Sequence, residues 1–473
     1  MKEAVFLQEV KEIQLLKNAL TLLDWDSSTG MPEKSSPFRG EVEGYLTGLY
    51  FERSIGPVIQ EALAYFETRP EELSELGKLV FEKVKEEYAL NKNVPAERMQ
   101  EYVKVLNQAH TDWLKARAAQ DFGLLEETLT KVVAFQKEFI PYWQKEEKTP
   151  YDVLLNQFEP GMTVEKLDQV FDQVKQGIQE IRTVLAEKGT PPRTDFLSRK
   201  MTKEQQRRFV IGVVEQLGYD FSKGRLDDTV HPFMTALNRN DARITTRWEE
   251  NNFSMATFGV IHEAGHGMYE QNFDPKFDFT PLSEGASMGI HESQSLFNEI
   301  IIGSNRAFWQ KQYPFFQECA EGTFDDIAFE DFYASLKETK ASLIRIDSDS
   351  LTYPLHIIIR YEIEKMLFNG SLEVADLPKV WNEKYQEYLG VSPENDLEGV
   401  LQDVHWSGGS FGYFPSYALG YMYAAQLFHA MKQELSVDEI LASEDYSDIR
   451  KWLTQHIHQY GASRKPNQLI YDA

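Results

Sequence analysis

A chain of 473 residues, 42% of them hydrophobic, carries enough apolar material for a large core and exceeds a minimal domain, so one or two lobes are expected. Its 75 acidic against 49 basic side chains leave a formal charge of −26, a sign that repels phosphate backbones and anionic lipid surfaces and sets aside nucleic acid and membrane as partners. Cys319 is the only cysteine, which excludes an intramolecular disulfide and fits a reducing, cytoplasmic compartment. The N-terminal stretch is amphipathic and has no apolar signal core, and no later run is long enough to cross a bilayer.

Apolar residues recur at helical spacing from Val5 to Leu23, and again around Val42 to Phe51, Leu79 to Tyr88 and Tyr102 to Ala118, so the first third reads as helices joined by short loops. Pro95, Pro141, Pro150 and Pro160 punctuate this part of the chain. Val164 to Leu185 and Lys203 to Leu217 return to the helical pattern. Ala242 to Trp248, with Ile244, Thr245, Thr246 and Trp248, is the best strand candidate. Phe258 to Tyr269 and Ser287 to Ile301 read as two further helices. No repeat or flexible linker interrupts the chain, so residues 1–473 are expected to form a single domain. Its expected class is all-α, predominantly helical with a small β element, with helical lobes facing a groove.

The chemistry concentrates in His262-Glu263-Ala264-Gly265-His266. Two imidazoles four residues apart on a helix share one face and reach one ion, while Glu263, about 100° round the axis, stays free for proton transfer. The structural alternative is a pair of surface histidines beside a solvated glutamate. Gly265 and Gly267 each weaken a helix by about 1 kcal/mol relative to Ala, which points to close backbone packing there. A catalytic zinc needs a third protein ligand. Glu292, central in the Ser287 to Ile301 helix, is the first choice, with His291 and Glu299 as rivals.

Five further segments stand out: His231-Pro-Phe, Asp241-Ala-Arg243-Ile-Thr245, Ile344-Arg345-Ile-Asp347-Ser-Asp349, Gly399-Val-Leu-Gln402-Asp403-Val-His405-Trp406 and Phe414-Pro-Ser-Tyr417. Taken singly, His231 reads as a turn residue, Arg243 as a surface cation, Arg345 as half of an ion pair with Asp347 or Asp349, and Tyr417 as a core aromatic. Taken together with the two histidine motifs, their order and spacing resemble the carboxypeptidase Taq family of metallocarboxypeptidases, from Trp25-Asp-Ser-Ser-Thr-Gly-Met-Pro32 to about Tyr423.

The resemblance implies a two-lobed helical peptidase with a deep groove, usually a homodimer, acting on peptides with a free C-terminus. It implies one Zn2+ per chain, replaceable by Co2+, on His262, His266 and Glu292, with Glu263 as general base. It further implies that Arg345 binds the substrate carboxylate, that His405 and Tyr417 stabilise the transition state, and that His231, Asp241 and Arg243 line the groove. Ser348 stands where the family usually has alanine, and the chain ends at Ala473, short of the usual C-terminal extension. An oligoendopeptidase, or a helical protein holding zinc without catalysis, are the competing readings; the first would lack the anchor at Arg345, and the second would close its zinc with four protein ligands.

Overall fold

A computed structural model describes the backbone of residues 1–473 and every side chain except that of Ala96. The described residues form nineteen α-helices and three short strands, so the helical class with a small β element is what the chain adopts. By contact the chain divides into two compact units. One comprises Met1–Asn91, Arg193–Leu336 and Gly420–Ala473; the other comprises Lys92–Pro192 and Lys337–Leu419.

In the first unit the helix Glu3–Thr29 buries Phe6, Val10 and Ile13 against Ile59, Phe66, Val80 and Phe81. Each such side chain contributes about 1.5–3 kcal/mol on leaving water. The three strands are β1 (Leu226–Asp228), β2 (Met234–Asn238) and β3 (Asp241–Thr246), in the order β1-β3-β2, with β1 parallel and β2 antiparallel to β3. The β2–β3 turn is closed by the side chain of Asn238 accepting from the backbone N–H of Asn240 at 2.9 Å, as asparagine does in tight turns. β3 overlaps the Ala242 to Trp248 expectation, whereas β1 and β2 are strands that the sequence does not announce. β1 is only three residues long, and β2 carries a register irregularity at Ala236/Asn238, so neither shows a clean alternation.

The motif helix, Phe253–Gln271, buries residues on all sides: Val260, Ile261 and Ala264 as well as Gly265, Gly267 and Met268. A Cβ on Gly267 would sit 2.7 Å from the Tyr219 ring, and 3.6 Å from Ile244 of β3, so this glycine lets the helix lie close on the sheet. The helix Met288–Leu296 starts at Ser287, whose hydroxyl accepts from the backbone N–H of Ile290 at 3.0 Å. It continues through a π-helical turn over Phe297–Ile302. The expected helix to Ile301 is therefore regular only to Leu296.

The second unit is built on the helices Ala96–Ala119, Gly123–Trp143, Pro150–Phe158, Val164–Lys188, Tyr353–Asn369 and Leu377–Tyr388. Thr149 and Asp152 form a reciprocal capping box at the start of Pro150–Phe158. Pro95, Pro150 and Pro160 do mark helix ends, but Pro141 lies inside the last turn of Gly123–Trp143.

Candidate metal centre and active site

His262 and His266 project from the same face of the motif helix, their rings 4.9 Å apart by centroid, as the four-residue spacing requires. Glu292 reaches between them from the helix Met288–Leu296. Its carboxylate oxygens lie 3.7 Å from Nε2 of His262 and 3.5 Å from Nε2 of His266. One ligand atom from each residue falls within 4.8 Å of the other two. Bonds of about 2.0–2.2 Å to a shared ion place tetrahedral ligand atoms roughly 3.4 Å apart, so this set fits a divalent metal in both spacing and donor type.

Close helix contact makes the convergence possible. A Cβ on Gly265 would come within 2.6 Å of the Gln294 carbonyl oxygen and of Ser295 Cα, and one on Gly420 within 2.5 Å of Glu292 Cγ. A methyl group at the first point would displace the Gln294–Ser295 backbone, and one at the second would displace Glu292 itself.

The outward ring nitrogens are also engaged. Nδ1 of His262 meets Glu299 at 2.8 Å. Nδ1 of His266 meets Nδ1 of His291 at 2.6 Å, and Nε2 of His291 meets Glu270 at 3.0 Å. The two rivals for third ligand, His291 and Glu299, thus contact the backs of the two histidines while Glu292 faces their fronts. Sequence reasoning misses Glu270, though its place four residues after His266 on one helix face is a signal.

Burial disfavours charge on His262, but Glu292 and Glu299 outweigh it and push the imidazole up to about 10. On His266 burial dominates and holds it down to about 4. Glu263, buried beside the histidines, is pushed up to about 7, chiefly by desolvation. Burial alone would raise Glu292, yet the histidines around it keep it below the usual carboxylate range. Carboxylates crowded around two imidazoles give the pocket the mixed nitrogen and oxygen donors that a divalent cation takes.

In the same unit, Asp241 accepts from Nε and Nη2 of Arg243 at 2.8 Å each, and the guanidinium lies 5.3 Å over the Trp25 ring. Trp25, Asp228 and Arg243 help line a cavity of about 830 Å³. His231 is exposed, just before β2.

The second unit holds Arg345, His405 and Tyr417. Arg345 is buried, and its ion-pair partner is Asp403, with Nε and Nη2 donating to one carboxylate oxygen at 3.0 and 2.8 Å. The sequence offers Asp347 or Asp349 instead; Asp349 turns back to Thr339 and Thr352. Nη1 of Arg345 donates to the Tyr353 hydroxyl at 2.8 Å, and the guanidinium lies 5.0 Å over the Tyr417 ring. Arg360, fully buried, grips the other oxygen of Asp403 at 2.6 Å. The two arginines hold Asp403 far below the ordinary carboxylate range against the burial penalty. His405 approaches the Tyr417 hydroxyl with Nε2 at 3.3 Å, and burial pushes it down to about 4. Sequence reasoning gives Asp403 no role and passes over Arg360. The signal for Arg360 is a cation among the isoleucines of Tyr353–Asn369, which needs a buried partner.

A His-Glu-x-x-His helix crossed by a glutamate-bearing helix, within a predominantly helical chain, defines a metallopeptidase. The family model described as carboxypeptidase Taq (M32) metallopeptidase matches residues 5–473. Carboxypeptidase 1 of Bacillus subtilis is 46% identical over 100% of this chain and 94% of its own length. Thermostable carboxypeptidase 1 of Thermus thermophilus is 35% identical over 97% and 92%. The crystal structure of an M32 carboxypeptidase from Deinococcus radiodurans superposes with a TM-score of 0.95 at 33% identity, covering 99% of this chain and 94% of that one. The chain belongs to the carboxypeptidase Taq (M32) family and is a metallocarboxypeptidase, a metal-dependent hydrolase of peptide bonds.

Proposed function

We propose that His262 Nε2, His266 Nε2 and the Glu292 carboxylate hold one zinc ion per chain, replaceable by cobalt, and that the enzyme releases single residues from free peptide C-termini with broad tolerance for the side chain. The observation that carries this reading is the convergence of two imidazole nitrogens and one carboxylate within 4.8 Å, with Glu263 buried beside them. Two nitrogens and one oxygen leave a coordination position open, as catalytic zinc requires and structural zinc does not.

The ion supplies Lewis-acid chemistry, polarising a carbonyl oxygen and making water more acidic. Glu263 takes the proton from the attacking water and passes it to the departing amine nitrogen, so one carboxylate serves both steps. His405 and Tyr417 are proposed as donors to the developing oxyanion, where the loss of one donor typically costs about 3 kcal/mol. Arg345 is proposed to bind the peptide's terminal carboxylate, since a guanidinium offers parallel donors to a planar anion. Its orientation by Asp403 and Tyr353 supports that role by limiting the freedom of a long side chain. His231, Asp241 and Arg243 are proposed to contact the peptide further from the cut bond.

We also propose that residues 1–473 act as one catalytic domain, that the protein is a cytoplasmic homodimer, and that it takes neither nucleic acid nor membrane as a partner. Its formal charge of −26 supports the exclusion of nucleic acid. No helix among the described residues is long and apolar enough to cross a membrane.

Metal analysis of the purified protein tests the ligand set. The parent should carry about one equivalent of zinc, chelation should remove both metal and activity, and Glu292→Ala should retain much less metal, because binding rests on all three ligands. Full occupancy in Glu292→Ala would transfer the third ligand to Glu299 or His291.

A further inference from the structure

Behind His266 lies a partly buried chain of two hydrogen bonds that ends on a carboxylate. Nδ1 of His266 and Nδ1 of His291 are 2.6 Å apart, a separation that requires one proton between them and a lone pair opposite. Nε2 of His291 is 3.0 Å from Glu270 Oε1. A carboxylate oxygen accepting from Nε2 of His291 leaves Nδ1 as the acceptor toward His266 when the His291 ring carries a single proton. His266 must then carry its own proton on Nδ1. Its Nε2, which faces Glu292 at 3.5 Å, is left with a free lone pair.

We propose that Glu270 and His291 are positioning residues that select the metal-binding tautomer and the ring orientation of His266. This rests on the assignment of His262, His266 and Glu292 as ligands. The opposite tautomers would place a proton on His266 Nε2 and turn a lone pair of His291 toward the Glu270 carboxylate, so the carboxylate disfavours the arrangement that blocks metal.

Packing leaves the relay little freedom. The His291 ring sits edge-on to Tyr269, with centroids 5.1 Å apart, and 4.7 Å from the His266 ring. A Cβ on Gly285 would come within 2.8 Å of His291 Cδ2, so the backbone closes on the ring where a larger residue would displace it. The other ligand histidine meets its carboxylate, Glu299, directly. On its Nδ1 side His266 reaches a carboxylate through His291, and that link is lost if either member is removed.

Zinc affinity measured on the full chain by competition with a chelating dye tests the proposal. Removing an outer partner of a metal-bound histidine typically weakens binding about 10–100-fold, and that loss is expected for both His291→Leu and Glu270→Leu. Glu270→Gln keeps an acceptor oxygen and should restore affinity to within about threefold of the parent. The metal-free leucine variants should unfold at temperatures close to the metal-free parent, which a general packing defect would not allow. Nitrogen-15 spectra of the zinc-loaded parent give a second reading that needs no variant: the ring proton should reside on Nδ1 of His266 and on Nε2 of His291. Parent-like affinity in His291→Leu, or a His291 proton on Nδ1, would overturn the relay while leaving the three ligands in place. A parent that takes up no zinc would instead overturn the ligand assignment, and the relay with it.

Discussion

At the scale of single residues, the two units each hold a buried group whose charge matters more than its size. Glu263 occupies the motif helix beside the ligand face without sharing it, which suits a carboxylate that moves protons. Glu263→Gln should keep its full zinc content while kcat falls by about 10²–10⁴-fold, the usual contribution of general base catalysis; metal analysis alongside steady-state kinetics separates the two effects. Asp403 is the counterpart in the second unit, bridging Arg345 and Arg360. Asp403→Ala would leave two buried guanidiniums without their anion, and breaking such a pair typically destabilises by about 3–5 kcal/mol. The pH dependence has a definite sign. Because Asp403 is held below its unfolded range, its stabilisation is present above a pH of about 3.9 and is lost as pH falls below that value toward the folded pKa. Denaturant titrations from pH 6 downward should therefore show a steeper loss of stability in the parent than in Asp403→Ala.

At the scale of elements, the glycines decide how near the site-bearing helices can come. Gly265 marks the crossing of the motif helix with Met288–Leu296, where an added methyl would meet backbone atoms at 2.6 Å. Gly265→Ala should destabilise by about 1–3 kcal/mol, as overpacking does, and should weaken zinc binding by moving Glu292. Gly44 is the contrast: it lies in the helix Ser36–Ser54, with nothing within 4 Å of an added Cβ. There Gly44→Ala should stabilise by about 0.5–1 kcal/mol through helix propensity alone. Chemical denaturation of the two variants checks both signs.

Much of this is legible in the sequence. Helical periodicity locates Lys203–Leu217 to the residue, and the motif spacing puts His262 and His266 on one face. The π-helical turn over Phe297–Ile302 is not legible, because a single turn of altered pitch leaves the apolar pattern almost unchanged. The relay through His291 is partly hidden for a related reason. Spacing brings a residue to the right helix, but which face meets the neighbouring helix depends on how the chain turns between Gln271 and Met288. Pairs such as Arg345 with Asp403 are 58 residues apart in sequence, beyond the reach of any local pattern, which is why Asp347 and Asp349 look like the natural partners.

At the scale of the whole molecule, the charge of −26 sets a field that every peptide meets before binding. Peptides rich in Asp and Glu should be hydrolysed with a kcat/KM that rises as salt screens the repulsion, and lysine-rich peptides with one that falls. Rates across a series of ionic strengths at fixed pH test this, and an identical salt response for both peptides would contradict it.

Mass spectrometry of the products from two matched peptides, one ending in a free carboxylate and one in its amide, bears most directly on carboxypeptidase action anchored at the chain terminus. Amidation removes the terminal charge and leaves all upstream groups unchanged, so an anchored enzyme forfeits a charge-assisted interaction of about 1.5–3 kcal/mol. The expected result is sequential release of single residues from the acid, a rate on the amide lower by roughly 10–100-fold, and loss of that preference in Arg345→Ala. Equal cleavage of acid and amide into internal fragments would contradict it.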